Sequence, residues 1–154
     1  MIVVCDTSPV NYLVLIDEID LLPQLFATVV LPAGVLAELQ HPRTPPRVAS
    51  WARELPPWVR VISPAGGVEE VGLGRGEAEA ITIATQVAAD AVLIDERKAT
   101  LVARSRGLMV TGTLGVLALA ADSKLVDLEA SIRRLLDTNF RASPELIEDI
   151  LRRS

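Results

Sequence analysis

The sequence predicts a three-layer α/β/α domain around a central, mainly parallel sheet. Short apolar runs rich in Val, Ile and Leu recur without polar alternation, as strands buried on both faces do. Helix-length segments separate them, and alternating strands and helices give parallel neighbours. Two of the runs, 2–5 and 91–94, end on aspartates, Asp6 and Asp95, at the strand end where such sheets hold ligands.

The elements follow in order. Residues 2–5 (IVVC) form the first strand. A helix over 9–19 starts with Ser8 as N-cap and Pro9 at the first helical position, and 21–26 extends it after a break near Asp20. TVVLP (28–32) is a second strand, followed by the helix PAGVLAELQ (32–40) with Pro32 or Ala33 near its start. A proline-rich stretch, 41–58, flanks a short helix at 48–55, and 59–63 is an edge strand. The glycine-rich turn GLGRG (72–76) feeds a helix that leads to the strand 91–95. A helix over 96–107 closes on Gly107, a favoured C-terminal residue; 108–112 is a strand and 113–125 a helix. Amphipathic helices at about 127–138 and 144–152 complete the chain, the second capped by Ser143-Pro144.

The 154 residues suit a single domain spanning 1–154, with a core of aliphatic side chains: half the residues are hydrophobic and 3% aromatic. No apolar stretch reaches the ~20 residues of a membrane span, and the N-terminus lacks the basic region of a signal peptide. The single cysteine excludes an internal disulfide and suits a reducing cytoplasm; Cys5 reads as a buried hydrophobe. With net charge −5, nucleic-acid binding through overall charge is disfavoured, whereas an acidic site neutralised by metal is not. Trp51 and Trp58 read as local packing.

If Ser8-Pro9 opens the helix, Asp6 is left without a capping role. Asp95 shares its sheet edge. Glu77 opens the helix after the glycine-rich turn, and Glu38 lies about 60° from Val35 around its helix, at the border of the apolar face. Singly, these acids have ordinary explanations as dipole partners, caps or surface charge. Four of them from four segments at one edge would repel and need a cation or raised pKa values. All-oxygen ligands select Mg²⁺ or Mn²⁺; one histidine, His41, and one cysteine cannot build a zinc site.

The pieces VVCDTSPV, LPAGVLAEL, LGRGEAEAI, VLIDERKA and VTGTLGVL, spread over essentially the whole chain, resemble the PIN domains of the branch related to VapC toxins. The GEAEAI … LIDER … GTLGVL series is the most specific. The resemblance implies a PIN-like fold and a Mg²⁺- or Mn²⁺-dependent endoribonuclease that hydrolyses RNA phosphodiester bonds, with Asp6, Glu38, Glu77 and Asp95 as catalytic metal ligands. It also implies the toxin role of a toxin–antitoxin pair, with an antitoxin protein as partner and a homodimer as assembly. Thr7 or Ser8 matches the polar residue that orients the first acid, and Thr113 is a further supporting residue. The third acid is usually an aspartate before Ala; here the sequence reads Glu77-Ala78-Glu79-Ala80. Residues two apart on a helix diverge by about 200°, so one of the two glutamates reaches the site. Glu77 is favoured by its spacing to Asp95, with Glu79 in reserve, and Glu96 is a similar reserve beside Asp95. Affinity for RNA would come from local basic residues: Arg75, Arg97, Lys98, Arg104 and Arg106. A solvated helix face explains Arg97 and Lys98 equally well.

Three other enzyme-like readings fit poorly. Ser8 stands where a haloacid-dehalogenase-type phosphatase needs its second aspartate. No Lys-Pro follows a late strand, as a receiver domain requires, and GLGRG lacks the third glycine and preceding strand of a dinucleotide loop. The alternative of another class is a PIN-fold interaction module that is catalytically weak or inactive.

Overall fold

The computed structural model describes residues 1–68 and 72–154. Its strands are β1 (Ile2–Cys5), β2 (Thr28–Pro32), β3 (Val59–Ile62), β4 (Ala91–Leu93) and β5 (Val110–Thr111). They form one sheet in the order β3-β2-β1-β4-β5, and every neighbouring pair is parallel. Helices α1 (Thr7–Leu15), α2 (Leu21–Leu25), α3 (Ala33–Leu39) and α4 (Pro46–Arg53) connect β1 through β2 to β3. Then α5 (Arg75–Gln86) returns the chain to β4 and α6 (Arg97–Ser105) leads to β5, before α7 (Thr113–Asp122), α8 (Leu128–Leu136) and α9 (Pro144–Arg153).

Strand residues alternate between the two faces, so each strand serves two cores. Val3, Cys5, Val29, Leu31 and Leu93 pack with α1, α7 and α8 through residues such as Leu13, Leu117 and Leu135. Val4, Val30, Val92 and Ile94 pack against Ala80, Ile81 and Ala84 of α5 and Ala99 and Ala103 of α6. This is the three-layer architecture the sequence predicts. Burial on both faces explains why the strands read as unbroken apolar runs. The edge strands depart: Arg60 and Val61 of β3 are exposed, and Val110 and Thr111 of β5 are half-buried.

The first helix differs from expectation. It begins at Thr7, not Pro9, and Asp6 occupies the N-cap position with extended backbone but makes no capping hydrogen bond. Thr7 and Ser8 lie inside the first turn, where their hydroxyls serve carboxylates of other segments. Pro9 is tolerated there because the first-turn N–H groups have no intrahelical acceptor. The helix stops at Leu15, and Asp17 takes a left-handed φ of 61°. The fourth helix likewise starts earlier, on Pro46. Among the described residues no helix is long and apolar enough to cross a membrane.

The chain leaves β1 toward β2 and β3 on one side and adds β4 and β5 on the other. The β1–β4 boundary is therefore the point where strand order reverses, and ligands collect beyond the carboxyl ends of the strands at such a point. Asp6 directly follows β1, and Asp95 lies two residues beyond β4.

Candidate active site

A cavity of about 590 Å³ opens there, and its lining includes Asp6, Glu38, Glu77, Asp95 and Glu96. Asp6 arrives on β1, whose ladder extends one residue further through its N–H to the Leu93 carbonyl (2.9 Å). Its side chain is 4% exposed, and its Oδ1 has no hydrogen-bond partner. Burial pushes the Asp6 carboxyl up to about 7; Glu77, Glu38 and Asp95 push the same way, against the Thr7 N–H. Beside it the buried Cys5 thiol is raised to about 12, by burial first and Asp6 second, so it stays protonated.

The other acids are held by donors from neighbouring elements. Glu38, near the end of α3, accepts the Thr7 hydroxyl at Oε2 (2.5 Å) and the Gly76 N–H at Oε1 (2.9 Å). Asp95 accepts the Thr113 N–H at Oδ1 (2.7 Å) and the Thr113 hydroxyl at Oδ2 (2.6 Å). Ser8 adds a longer hydrogen bond to Oδ2 at 3.2 Å. Thr113 itself is fully buried at the start of α7. Glu77, in the first turn of α5, reaches back to the Gly74 N–H (3.1 Å). Burial raises its pKa, and Glu96 and Glu38 add to the shift. Glu96 is the N-cap of α6, accepting from the Ala99 and Lys98 N–H groups, which lower its pKa. It also shares a hydrogen bond with Glu77.

The reserve choice Glu79 lies elsewhere. It is 6% exposed and accepts the Gly34 N–H (2.8 Å) and Arg75 Nε (2.9 Å). The reason is a reciprocal arrangement. Glu38 of α3 binds an N–H at the start of α5, while Glu79 of α5 binds an N–H at the start of α3. Each free helix N-terminus thus receives a carboxylate from the other helix. The two donors are glycines, and a Cβ at Gly76 or Gly34 would stand 2.8 or 2.7 Å from the respective glutamate oxygen. Gly112 is constrained in the same way, 2.7 Å from Asp95 Oδ1.

None of the expected RNA-binding residues lines this cavity. Arg75 is committed to Glu79, and Lys98 Nζ donates to the Gly72 carbonyl (2.9 Å). Arg97 is exposed on α6, and none of the three lines the cavity. Arg106 borders a separate hollow with Thr82 and Gln86. Sequence reasoning missed Tyr12, Phe140 and Arg141, which also line the cavity. Tyr12 and Phe140 meet edge to face at 5.0 Å, and the Tyr12 hydroxyl donates to Asn139 (2.9 Å). These contacts tie the segment between α8 and α9 to α1, and no motif marks that segment in the sequence.

A family model described as a PIN domain matches residues 2–154. The chain belongs to the PIN-domain family. Neither a curated protein nor a solved structure gives a significant match. PIN domains are generally nucleases that typically use divalent metal ions. Among the described residues no three acidic, histidine or cysteine side chains form a preassembled metal cage; three of the four acids are turned onto hydroxyl and N–H donors instead. The donor set nevertheless suits a divalent ion of this PIN domain. It is all oxygen, and it contains a buried carboxylate oxygen with no other partner.

Proposed function

We propose that this PIN domain is a metal-dependent endoribonuclease hydrolysing RNA phosphodiester bonds. The observation that carries the reading is Asp6: a buried carboxylate whose Oδ1 has no hydrogen-bond partner, in a cavity it shares with four other acids. A purely structural role leaves such a group without compensation. Asp6, Glu38, Glu77 and Asp95 would hold Mg²⁺ or Mn²⁺. The bound ion would supply a lowered pKa for attacking water and charge neutralisation at the scissile phosphate.

The remaining work belongs to the chain. Thr7 fixes the rotamer of Glu38, and Thr113 and Ser8 fix Asp95, so that these carboxylates need little reorganisation. Gly74 holds Glu77 at the rim, beside Glu96. Asp6 sits deepest, where exclusion of water strengthens its attraction to any cation.

The test is cleavage of a labelled single-stranded RNA by purified protein. Cleavage is expected with Mn²⁺, and none with EDTA or with Asp6→Asn in Mn²⁺. Equal inertness of wild type and Asp6→Asn in Mn²⁺ contradicts the reading and favours the interaction module. The toxin role, the antitoxin partner and the homodimer are supported by resemblance to the VapC-related branch. For these, expression of wild type is expected to arrest growth where Asp6→Asn does not, and a small reading frame directly upstream is expected to encode the antitoxin. Absence of both results rejects the toxin role and leaves the ribonuclease reading intact.

A further inference from the structure

The acid-lined cavity continues past Asp95. A second hollow of about 380 Å³ shares Asp95, Phe140 and Arg141 with it, and its other walls include Arg104, Leu146 and Ile150. Two features suit it to an anionic ligand. The first is its chemistry: aliphatic walls from α7 and α9 stand beside two guanidinium groups. The second is that these guanidinium groups are uncommitted. Arg47, Arg75, Arg133, Arg134 and Arg153 pair with carboxylates, whereas Arg43, Arg53, Arg60, Arg97 and Arg152 form no ion pair among the described residues and line neither hollow. Among the described residues neither Arg104 nor Arg141 enters an ion pair or a side-chain hydrogen bond.

An anionic strand approaching five carboxylates on a chain of net charge −5 meets repulsion unless cations stand beside its path. Among the residues lining the two hollows, Arg104 and Arg141 are the basic ones. Arginine suits phosphate through paired N–H donors, and apolar walls suit the face of a base. We propose that the second hollow holds the nucleotide next to the scissile phosphate of a single-stranded RNA. Arg141, bordering both hollows, takes the intervening phosphate; Arg104 takes the next, and the base lies against Leu146 and Ile150. The proposal rests on the ribonuclease reading of the adjoining acids and adds to it a direction for the strand, from the acids toward α9.

The experiment is fluorescence anisotropy of a labelled RNA hexanucleotide in Ca²⁺, with wild type, Arg141→Ala and Leu146→Trp. Arg141 and Leu146 are both exposed, so the folds are expected to survive, and retained Mn²⁺-induced thermal stabilisation checks that the acids are undisturbed. Arg141→Ala is expected to weaken binding roughly tenfold and to lower the salt dependence by about one phosphate contact. Leu146→Trp, which fills the hollow, is expected to weaken binding as well. Wild-type affinity in both variants overturns the proposal; if wild type still cleaves RNA, the ribonuclease reading stands alone. Weakened binding in both, with a wild type that cuts no RNA in Mn²⁺, keeps the RNA groove and removes the nuclease. No RNA binding by wild type overturns the proposal, and cleavage in Mn²⁺ decides the ribonuclease reading separately.

Discussion

Asp6 is the residue on which the site turns, and its protonation makes a measurable demand. Its carboxyl titrates near 7 in the fold against 3.8 for the free group, so between about pH 4 and 7 the folded chain binds the extra proton. Stability therefore falls as pH rises through that window. Asp6→Asn is expected to remove this slope and to raise stability above pH 7 without metal. At about 1.4 kcal/mol per unit, the upper bound of the gain is about 4 kcal/mol. Urea unfolding at pH 5 and pH 8 in EDTA checks it, and a variant less stable than wild type at pH 8 contradicts it. The glycines make the converse demand. In Gly112→Ala the new Cβ would press on Asp95 Oδ1, so Asp95 must leave the Thr113 donors. A loss of about 1–3 kcal/mol is expected from the overpacking, with Mn²⁺-dependent cleavage falling more than tenfold; unchanged cleavage would show that Asp95 need not sit where Thr113 holds it.

At the level of elements, α3 and α5 are joined by the exchanged carboxylates of Glu38 and Glu79, and the two acids should fail differently. Glu79→Ala strands the buried Gly34 N–H and the Arg75 pair, and about 1–3 kcal/mol is expected to be lost. Glu77→Gln, two residues earlier and half-buried, should change stability little while abolishing metal-induced stabilisation. Thermal unfolding with and without Mn²⁺ separates them; identical behaviour would reject the division between a structural and a cavity-facing glutamate. This division also marks how far the sequence could be read. Helical spacing shows that Glu77 and Glu79 diverge, and the helix start favours Glu77 for the cavity. That Glu79 is bound by Gly34, 45 residues away, depends on how two helices cross, which no local pattern encodes. The strands were legible because burial on both faces leaves an unbroken apolar signature. The helix α1 starts two residues early because Asp6 holds the N-cap backbone position, leaving Thr7 and Ser8 inside the first turn with their hydroxyls donating to Glu38 and Asp95.

Over the whole molecule, parallel order brings β1 and β4 side by side, so that acids 89 positions apart in the chain (6 and 95) share one cavity. The sequence shows that both strands end on aspartate; the sheet order makes them neighbours. Arg141 and Phe140 escape any such reading, since α8 must pack across α7 before the segment behind it reaches the cavity. If the four acids act as one site, they must bind one kind of ion together, and calorimetric titration of Mn²⁺ into the protein measures this most directly. Wild type is expected to bind Mn²⁺, and Asp6→Asn, Glu38→Gln, Glu77→Gln and Asp95→Asn each to bind at least tenfold more weakly, while Glu79→Gln binds as wild type does. A wild type that takes up no Mn²⁺ at millimolar concentration, or four variants that all bind it undiminished, would contradict the account.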